Sequence, residues 1–252
     1  MNSRLKYLKA LDIDVWERRS VPMPQSESQS VVIEPPTGFA MQPEHVAPDA
    51  VATLGWAELE HQVGRCTGCE LHRTRTRPVF GVGNVRAQWM VIGEAPGADE
   101  DRQGEPFVGR AGQLLTSMLK AMGLPREQVY IANILKSRPP GNRDPKAEEV
   151  AACIPYLYRQ IELVNPHLLL CVGRIAAQTL LNTDTPIGKL RGKLHAIATG
   201  RSTSRPMIVT YHPAYLLRSP AEKRKAWSDL VLAMQTFEKI SRNHERTDPD
   251  EV

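Results

Sequence analysis

Four short stretches of this chain carry residue types suited to chemistry. The turn Gly93-Glu94-Ala95-Pro96-Gly97 puts two glycines, a proline and a carboxylate directly after an apolar run, so its backbone N–H groups can approach a ligand closely. Turns of this kind are common, and alone the signal is weak. Phe107 stands in Gly104-Glu105-Pro106-Phe107-Val108-Gly109, just before a helical stretch. A Phe there is ordinarily a core plug, but beside a polar turn it can present a stacking face to a planar ligand. Asn133 interrupts an apolar strand, where an amide needs partners, and it could read the donor–acceptor edge of a base. His212, followed by Pro213 and Tyr215-Leu216-Leu217-Arg218, reads either as a helix-capping or packed imidazole or as a site residue. Cysteine adds a fifth feature. Cys66 and Cys69 form a Cys-x-x-Cys pair, with Cys153 and Cys171 far along the chain. Four cysteines in 252 residues make no disulfide scaffold, which leaves buried thiols, a metal site or an iron–sulfur site.

These residues need elements to position them. Apolar runs at 88–93, 129–135, 167–173 and 206–213 read as strands. Helical periods fill the gaps: 109–123, then from Asp144-Pro145 as N-cap and first-turn proline to about Leu163, then 174–182, then a long helix over 219–240. The alternation predicts an α/β fold, a mainly parallel central sheet flanked by helices on both faces in three layers. In such sheets ligands bind beyond the carboxyl ends of the strands. That rule brings Gly93–Gly97, Asn133, Gly173-Arg174 and His212-Pro213 to one crevice.

The rest of the chain divides by composition. Residues 1–19 form an amphipathic helix on the spacing of Leu5, Leu8, Leu11 and Trp16; 20–52 is a flexible linker rich in Pro, Ser and Gln; 53–240 is one compact domain; 241–252 is a polar tail. The leucines with Trp16 on a tether read either as a docking peptide for a protein partner or as an idle tail or a helix folded back on the domain. No apolar run reaches the roughly 18–20 residues that cross a bilayer, and the N-terminus lacks a signal peptide's apolar stretch, so the expectation is a cytoplasmic monomer with no membrane association. Net charge is +4, but Ser20 to Gly64 holds six acids and no Lys or Arg, leaving +10 on the remainder. A body of that charge suits a polyanion such as DNA. Arg73, Arg75, Arg77, Arg138, Arg143, Lys189, Arg191, Lys193 and Arg218 are its candidate phosphate contacts.

Taken together, GEAPGADED, GEPFVGRAG, IANILKSRPPGNRDP and HPAYLLRS resemble the iron–sulfur family (family 4) of uracil-DNA glycosylases, over about residues 60–238. The resemblance implies an enzyme that hydrolyses the N-glycosidic bond of deoxyuridine in DNA, releasing uracil. It further implies that the backbone at Gly93, Glu94 and Ala95 contacts uracil, that Phe107 stacks on the ring, and that Asn133 pairs with its edge. His212, with electrostatic help from Glu94, would stabilise the departing uracil anion. Leu216 or Leu217 would wedge into the vacated stack, with Arg218, Arg138 and Arg143 near phosphate. Glu100 would either crowd a thymine methyl or remain a solvated turn carboxylate. The family's pattern also implies a [4Fe–4S] cluster on four cysteines; Cys66, Cys69 and Cys153 match as its metal site, whereas the third position is Ser137. That leaves a cluster with Ser137 or another fourth ligand, a labile cluster, no cluster, or zinc on the three cysteines. Cys171 lies in an apolar strand and reads as a packed thiol.

Two other readings belong to different classes. One is a non-catalytic DNA-binding protein retaining the glycosylase fold, against which stands the joint presence of Glu94, Phe107, Asn133 and His212. The other is an enzyme hydrolysing free nucleosides, which would need neither the basic body nor a wedge.

Overall fold

Strands that are apolar along nearly their whole length can be buried on both faces, and three central strands here are fully buried, with Asn133 their one polar residue. The computed structural model describes residues 48–198 and 204–247. The chain divides into Met1–Ala40 and Met41–Val252, and all described residues belong to the second unit. The expected N-terminal helix, and the linker as far as residue 47, lie outside them.

Strands β1 (Val82–Gly83), β2 (Trp89–Gly93), β3 (Tyr130–Asn133), β4 (Leu168–Val172), β5 (Leu194–Ala198) and β6 (Ser204–Thr210) form one sheet in the order β1-β3-β2-β4-β6-β5. The four inner strands run parallel, while β1 and β5 add to the edges antiparallel. The period-2 alternation of strands sorts their side chains to two faces. Met90, Ile92, Ala132, Leu169, Cys171, Met207 and Val209 face one core, and Trp89, Val91, Ile131, Leu168, Leu170, Val172 and Ile208 face the other.

Helices cover both faces. Over the first core lie α5 (Ala147–Val164), α6 (Arg174–Leu181) and α7 (Ile187–Leu190), placing Leu157, Ile161, Ala176, Ala177 and Leu190 against the sheet. Over the second lie α4 (Arg110–Ala121), α8 (Pro213–Arg218) and α9 (Lys223–Thr247), through Leu115, Leu119, Leu216, Leu230 and Ala233. Burying each of the larger side chains contributes about 1.5–3 kcal/mol. A smaller core joins α1 (Pro48–Val51) and α2 (Trp56–Arg65) to α5 through Val51, Leu59, Val63, Phe80 and Tyr156. A short helix, α3 (Ala98–Gln103), follows the β2 turn. The expected α/β architecture with helices on both faces is the one observed.

Four details differ from the sequence reading. Val51 is buried, so the compact body begins before residue 53. At the other end α9 continues to Thr247, past the expected tail boundary. The helix after the RPPGNR stretch starts at Ala147 and not at Pro145, because the Glu149 carboxylate reaches back to accept from the Lys146 N–H at 2.9 Å, closing a capping box two residues further on. The edge strands β1 and β5 were not expected; β1 spans two residues, and β5 is mostly solvent-facing, so neither makes an apolar run.

Candidate functional site

The parallel register sets Gly93 beside Asn133 and Val172 beside Thr210, so the inner strands end level with one another. Beyond β2 and β3 the two chains stay zipped, with Ile134 N–H donating to Gly93 O and Leu135 N–H to Glu94 O. A crevice of about 710 Å³ opens past these ends. Its lining includes Glu94, Ala95, Asn133, Arg174 and His212, which the strand-end rule gathered from sequence, together with Phe107 from the loop before α4. Its volume lies in the range of small-ligand pockets, with room for a base and its sugar.

Asn133 is 2 % exposed, and its Oδ1 has no hydrogen-bond partner within the protein. A buried amide left unpaired costs about 1–3 kcal/mol, and at a pocket wall that cost is relieved by a ligand bearing the complementary edge. Close approach is made possible at Gly93: a Cβ there would lie 2.4 Å from Asn133 Oδ1 and 2.6 Å from the Phe107 ring. Any side chain at 93 would therefore expel one or the other.

Phe107 has φ of +56°, a left-handed conformation that a bulky side chain adopts only when its surroundings enforce it. Glu100 supplies the enforcement. One carboxylate oxygen accepts from the Val108 and Gly109 N–H groups at 3.0 and 3.1 Å, and the other accepts from Gly97 N–H at 3.1 Å. The carboxylate thus ties the first turn to the Phe107 loop. It is not the solvated group that was one reading of it.

His212 caps α8, its Nδ1 accepting from Ala214 N–H at 3.1 Å. In a neutral imidazole that bond leaves the proton on Nε2, so the free edge of the ring is a donor. Burial, helped by the nearby Arg218 charge, lowers its pKa to about 4, so the ring is neutral at physiological pH. Its ring lies 5.6 Å from that of Phe107 at 30°, forming a wall of two rings.

Each of three successive strand ends adds a charge to the rim. Glu94 follows β2, Asp144 sits in the loop after β3, and Arg174 follows β4. Arg174 pairs with Asp144 at 2.7 Å across 30 residues of chain. Glu94 is pushed up to about 7, chiefly by burial, then by Asp144, with Arg174 opposing. Asp144 went unrecognised in the sequence because it read as a helix cap; Asn142 and Tyr211, also in the lining, gave no sequence signal of their own.

Several expected DNA contacts are placed otherwise. Leu216 is 1 % exposed within the second core, so it is a packing residue and not a wedge; Leu217 is the partly exposed one. Arg191 is committed internally: its guanidinium pairs with Asp229, which is 0 % exposed, and covers the Tyr211 ring at 5.3 Å. Thr210 Oγ1 also donates to Asp229, fixing the strand end next to His212. Arg75 donates to Ser137 Oγ. Arg143 forms an ion pair with Glu149, and Arg138 Nε donates to Asn142 Oδ1, though both arginines keep part of their surface in solvent. Arg218 is exposed at the crevice rim.

The cysteines converge in part. Cys69 and Cys153 lie close enough for each thiol to shift the other's proton affinity, and Cys66 Sγ accepts from the Tyr156 hydroxyl and the Gly68 N–H, both at 3.5 Å. Where a further thiolate was required stands Ser137, buried, its hydroxyl accepting from Arg75 at 3.0 Å. Cys171 is inside the sheet, between Ile92 and Val209. Among the described residues no three His, Cys, Asp or Glu side chains are arranged to hold a metal ion. The donor set of three thiols and an engaged hydroxyl does not fit a four-thiolate cluster.

A parallel α/β sandwich with an aromatic wall, an unpaired amide and a neutral imidazole at the strand ends is a site built for a planar, hydrogen-bonding ligand. Residues 80–231 match the family described as the uracil DNA glycosylase superfamily, and the chain belongs to it. Within that superfamily it is similar to the Type-4 uracil-DNA glycosylase of Archaeoglobus fulgidus, 46 % identical over 177 residues, which cover 68 % of this chain and 88 % of that protein. It is also similar to the Type-4 enzymes of Pyrobaculum aerophilum (40 % over 181 residues; 69 % and 91 %) and Thermotoga maritima (43 % over 162 residues; 64 % and 82 %).

Proposed function

We propose that this protein is a DNA-repair glycosylase that hydrolyses the N-glycosidic bond of deoxyuridine in DNA, releasing uracil and leaving an abasic site. The observation that carries the reading is the unpaired Asn133 Oδ1 at a crevice walled by Phe107 and His212.

A base inside a duplex is out of reach, so the nucleotide is extruded into the crevice. Phe107 stacks on the ring. The backbone at Gly93, Glu94 and Ala95 lies along it, and the Asn133 amide matches the N3–H donor and O4 acceptor of uracil. Cytosine offers an acceptor and a donor in those places, and a fixed amide meets them mismatched. As the bond to the sugar breaks, negative charge collects on uracil O2. The Nε2–H of neutral His212 donates to that oxygen, and because the ring is held by Ala214 N–H no reorganisation is needed as charge develops. Position 95 is Ala, so the turn offers no carboxylate there to deprotonate water, and stabilising the leaving group is the main source of rate. The Glu94 carboxylate, when ionised, offsets the positive charge that develops on the sugar. Leu217 fills the gap left in the stack, and Arg218, with Arg138 and Arg143, meets phosphates at the rim.

Uracil-bearing single- and double-stranded oligonucleotides, treated with alkali after incubation and run on a denaturing gel, test the reading. Cleavage at the uracil position is expected; intact strands throughout would overturn it, and binding without cleavage would favour the non-catalytic DNA-binding protein. No helix among the described residues is long and apolar enough to cross a membrane. The proposed setting is the cytoplasm, and the proposed working form a monomer on DNA. The leucine-bearing N-terminus, outside the described residues, is kept as a proposed docking peptide.

A further inference from the structure

We infer that the Cys66–Cys69–Cys153 junction of this protein is a metal-free packing joint and not an iron–sulfur site. Three observations converge. First, the donors are wrong in number and kind. Cluster iron is held by thiolates, and here the fourth group is the hydroxyl of Ser137, 2 % exposed and already accepting from the Arg75 guanidinium. A neutral hydroxyl brings no charge to iron, and the remaining cysteine, Cys171, is locked within β4. Second, Cys66 Sγ is already an acceptor for two protein donors, the Tyr156 hydroxyl and the Gly68 N–H, both at 3.5 Å. Third, the mechanical task of a cluster, tying the segment that precedes the sheet to the loop after β3, is met by direct contacts. Arg75 spans from Gly64 O to Ser137 Oγ, Val79 N–H donates to Lys136 O, and Leu71 is buried in the first core. Lys136, fully buried, holds the same loop from beneath through Asn133 O at 2.8 Å and Gln160 Oε1 at 2.6 Å. The fold therefore has no mechanical need of a metal at this junction.

The test uses full-length protein purified without oxygen and incubated with ferrous iron, sulfide and a thiol reductant, beside Ser137→Cys treated identically. Iron, zinc and acid-labile sulfide per chain are measured, with absorbance and thermal midpoint before and after a chelator. Wild-type protein is expected to be colourless and free of stoichiometric metal, with a midpoint indifferent to chelation. S137C, which completes four thiols, is expected to take up about four irons and absorb near about 400 nm. Stoichiometric iron with sulfide, or stoichiometric zinc, in the wild-type protein would overturn the inference, and an S137C that stays free of iron would refute Ser137 as the deciding residue. Uracil excision is assayed separately on the same preparation, so failure of the proposed activity leaves this result standing, and the reverse.

Discussion

His212 sets a testable link between catalysis and stability. Its imidazole titrates near about 6.5 in an unfolded chain and about 4 in the fold, because charging it means charging a mostly buried ring beside Arg218. A basic group whose pKa is depressed by folding leaves the unfolded state holding more protons. Stability therefore falls as pH drops below the unfolded value and stops falling once pH passes below the folded one. At about 1.4 kcal/mol per pH unit, the descent from pH 6.5 to 4 costs about 3 kcal/mol in total, or roughly 6–12 °C in thermal midpoint for a body of this size. Replacing His212 by Asn, which can still cap α8, removes that proton uptake. Urea unfolding of wild type and H212N at intervals from pH 4 to 7.5 isolates the effect, since every other titrating group is shared. The variant should show the shallower acid slope, with the gap closing above pH 7. The same substitution should cost roughly 10²–10³ in single-turnover uracil excision. Equal acid slopes would refute a buried neutral imidazole; near-normal excision would refute its role as donor.

Five other substitutions probe the crevice and its surroundings. Because Glu94 is raised to about 7 and acts ionised, excision should rise with pH through about 7; Asp144→Asn should move that limb to lower pH and Arg174→Gln to higher pH, and a wild-type profile flat from pH 5 to 8 would rule the carboxylate out. Asn133→Asp should slow uracil excision by roughly 10- to 100-fold, the cost of one mismatched buried group, and narrow the uracil-to-cytosine preference, measured with paired oligonucleotides; an unchanged preference would mean another residue reads the edge. Arg218→Ala should reduce the dependence of oligonucleotide affinity on salt by about one phosphate contact, whereas Arg191→Met should leave that slope intact and cost about 3–5 kcal/mol of stability by stranding Asp229; the opposite pattern in titrations and melts would reverse the two assignments.

The inner sheet was legible because its strands are apolar on both faces, a pattern few other segments of the chain share. Strand ends then predicted the crevice, since Glu94 and Arg174 follow apolar runs directly while Asn133 and His212 are the polar breaks near the ends of theirs. Spacing could not separate two adjacent leucines: Leu216 faces the core and Leu217 does not only because α8 begins at Pro213, which fixes the rotation of its single turn and a half. Nor does charge reveal its partner. Arg191 and Arg218 look alike in sequence, yet one is claimed by Asp229 from 38 residues away. Asp144 before a proline imitates a cap, but the real cap is set by Glu149, whose carboxylate is also claimed by Arg143. Long-range pairing decides the fate of the arginines, whereas the leucine facing and the cap turn on where each helix starts, a choice among neighbouring residues that composition alone leaves open.

The strand order has a consequence in time. The crevice draws one wall from each of four parallel strands, and the segments between Gly93 and His212 must all cross over before those strands lie level. Such non-local pairings form late, after much of the loop-closure entropy has been lost. A partly folded chain will carry the basic side chains that attract DNA well before it owns a pocket to receive a base. During refolding, nucleic-acid affinity should therefore return ahead of base recognition, an order that stopped-flow binding of plain and uracil-bearing strands would read.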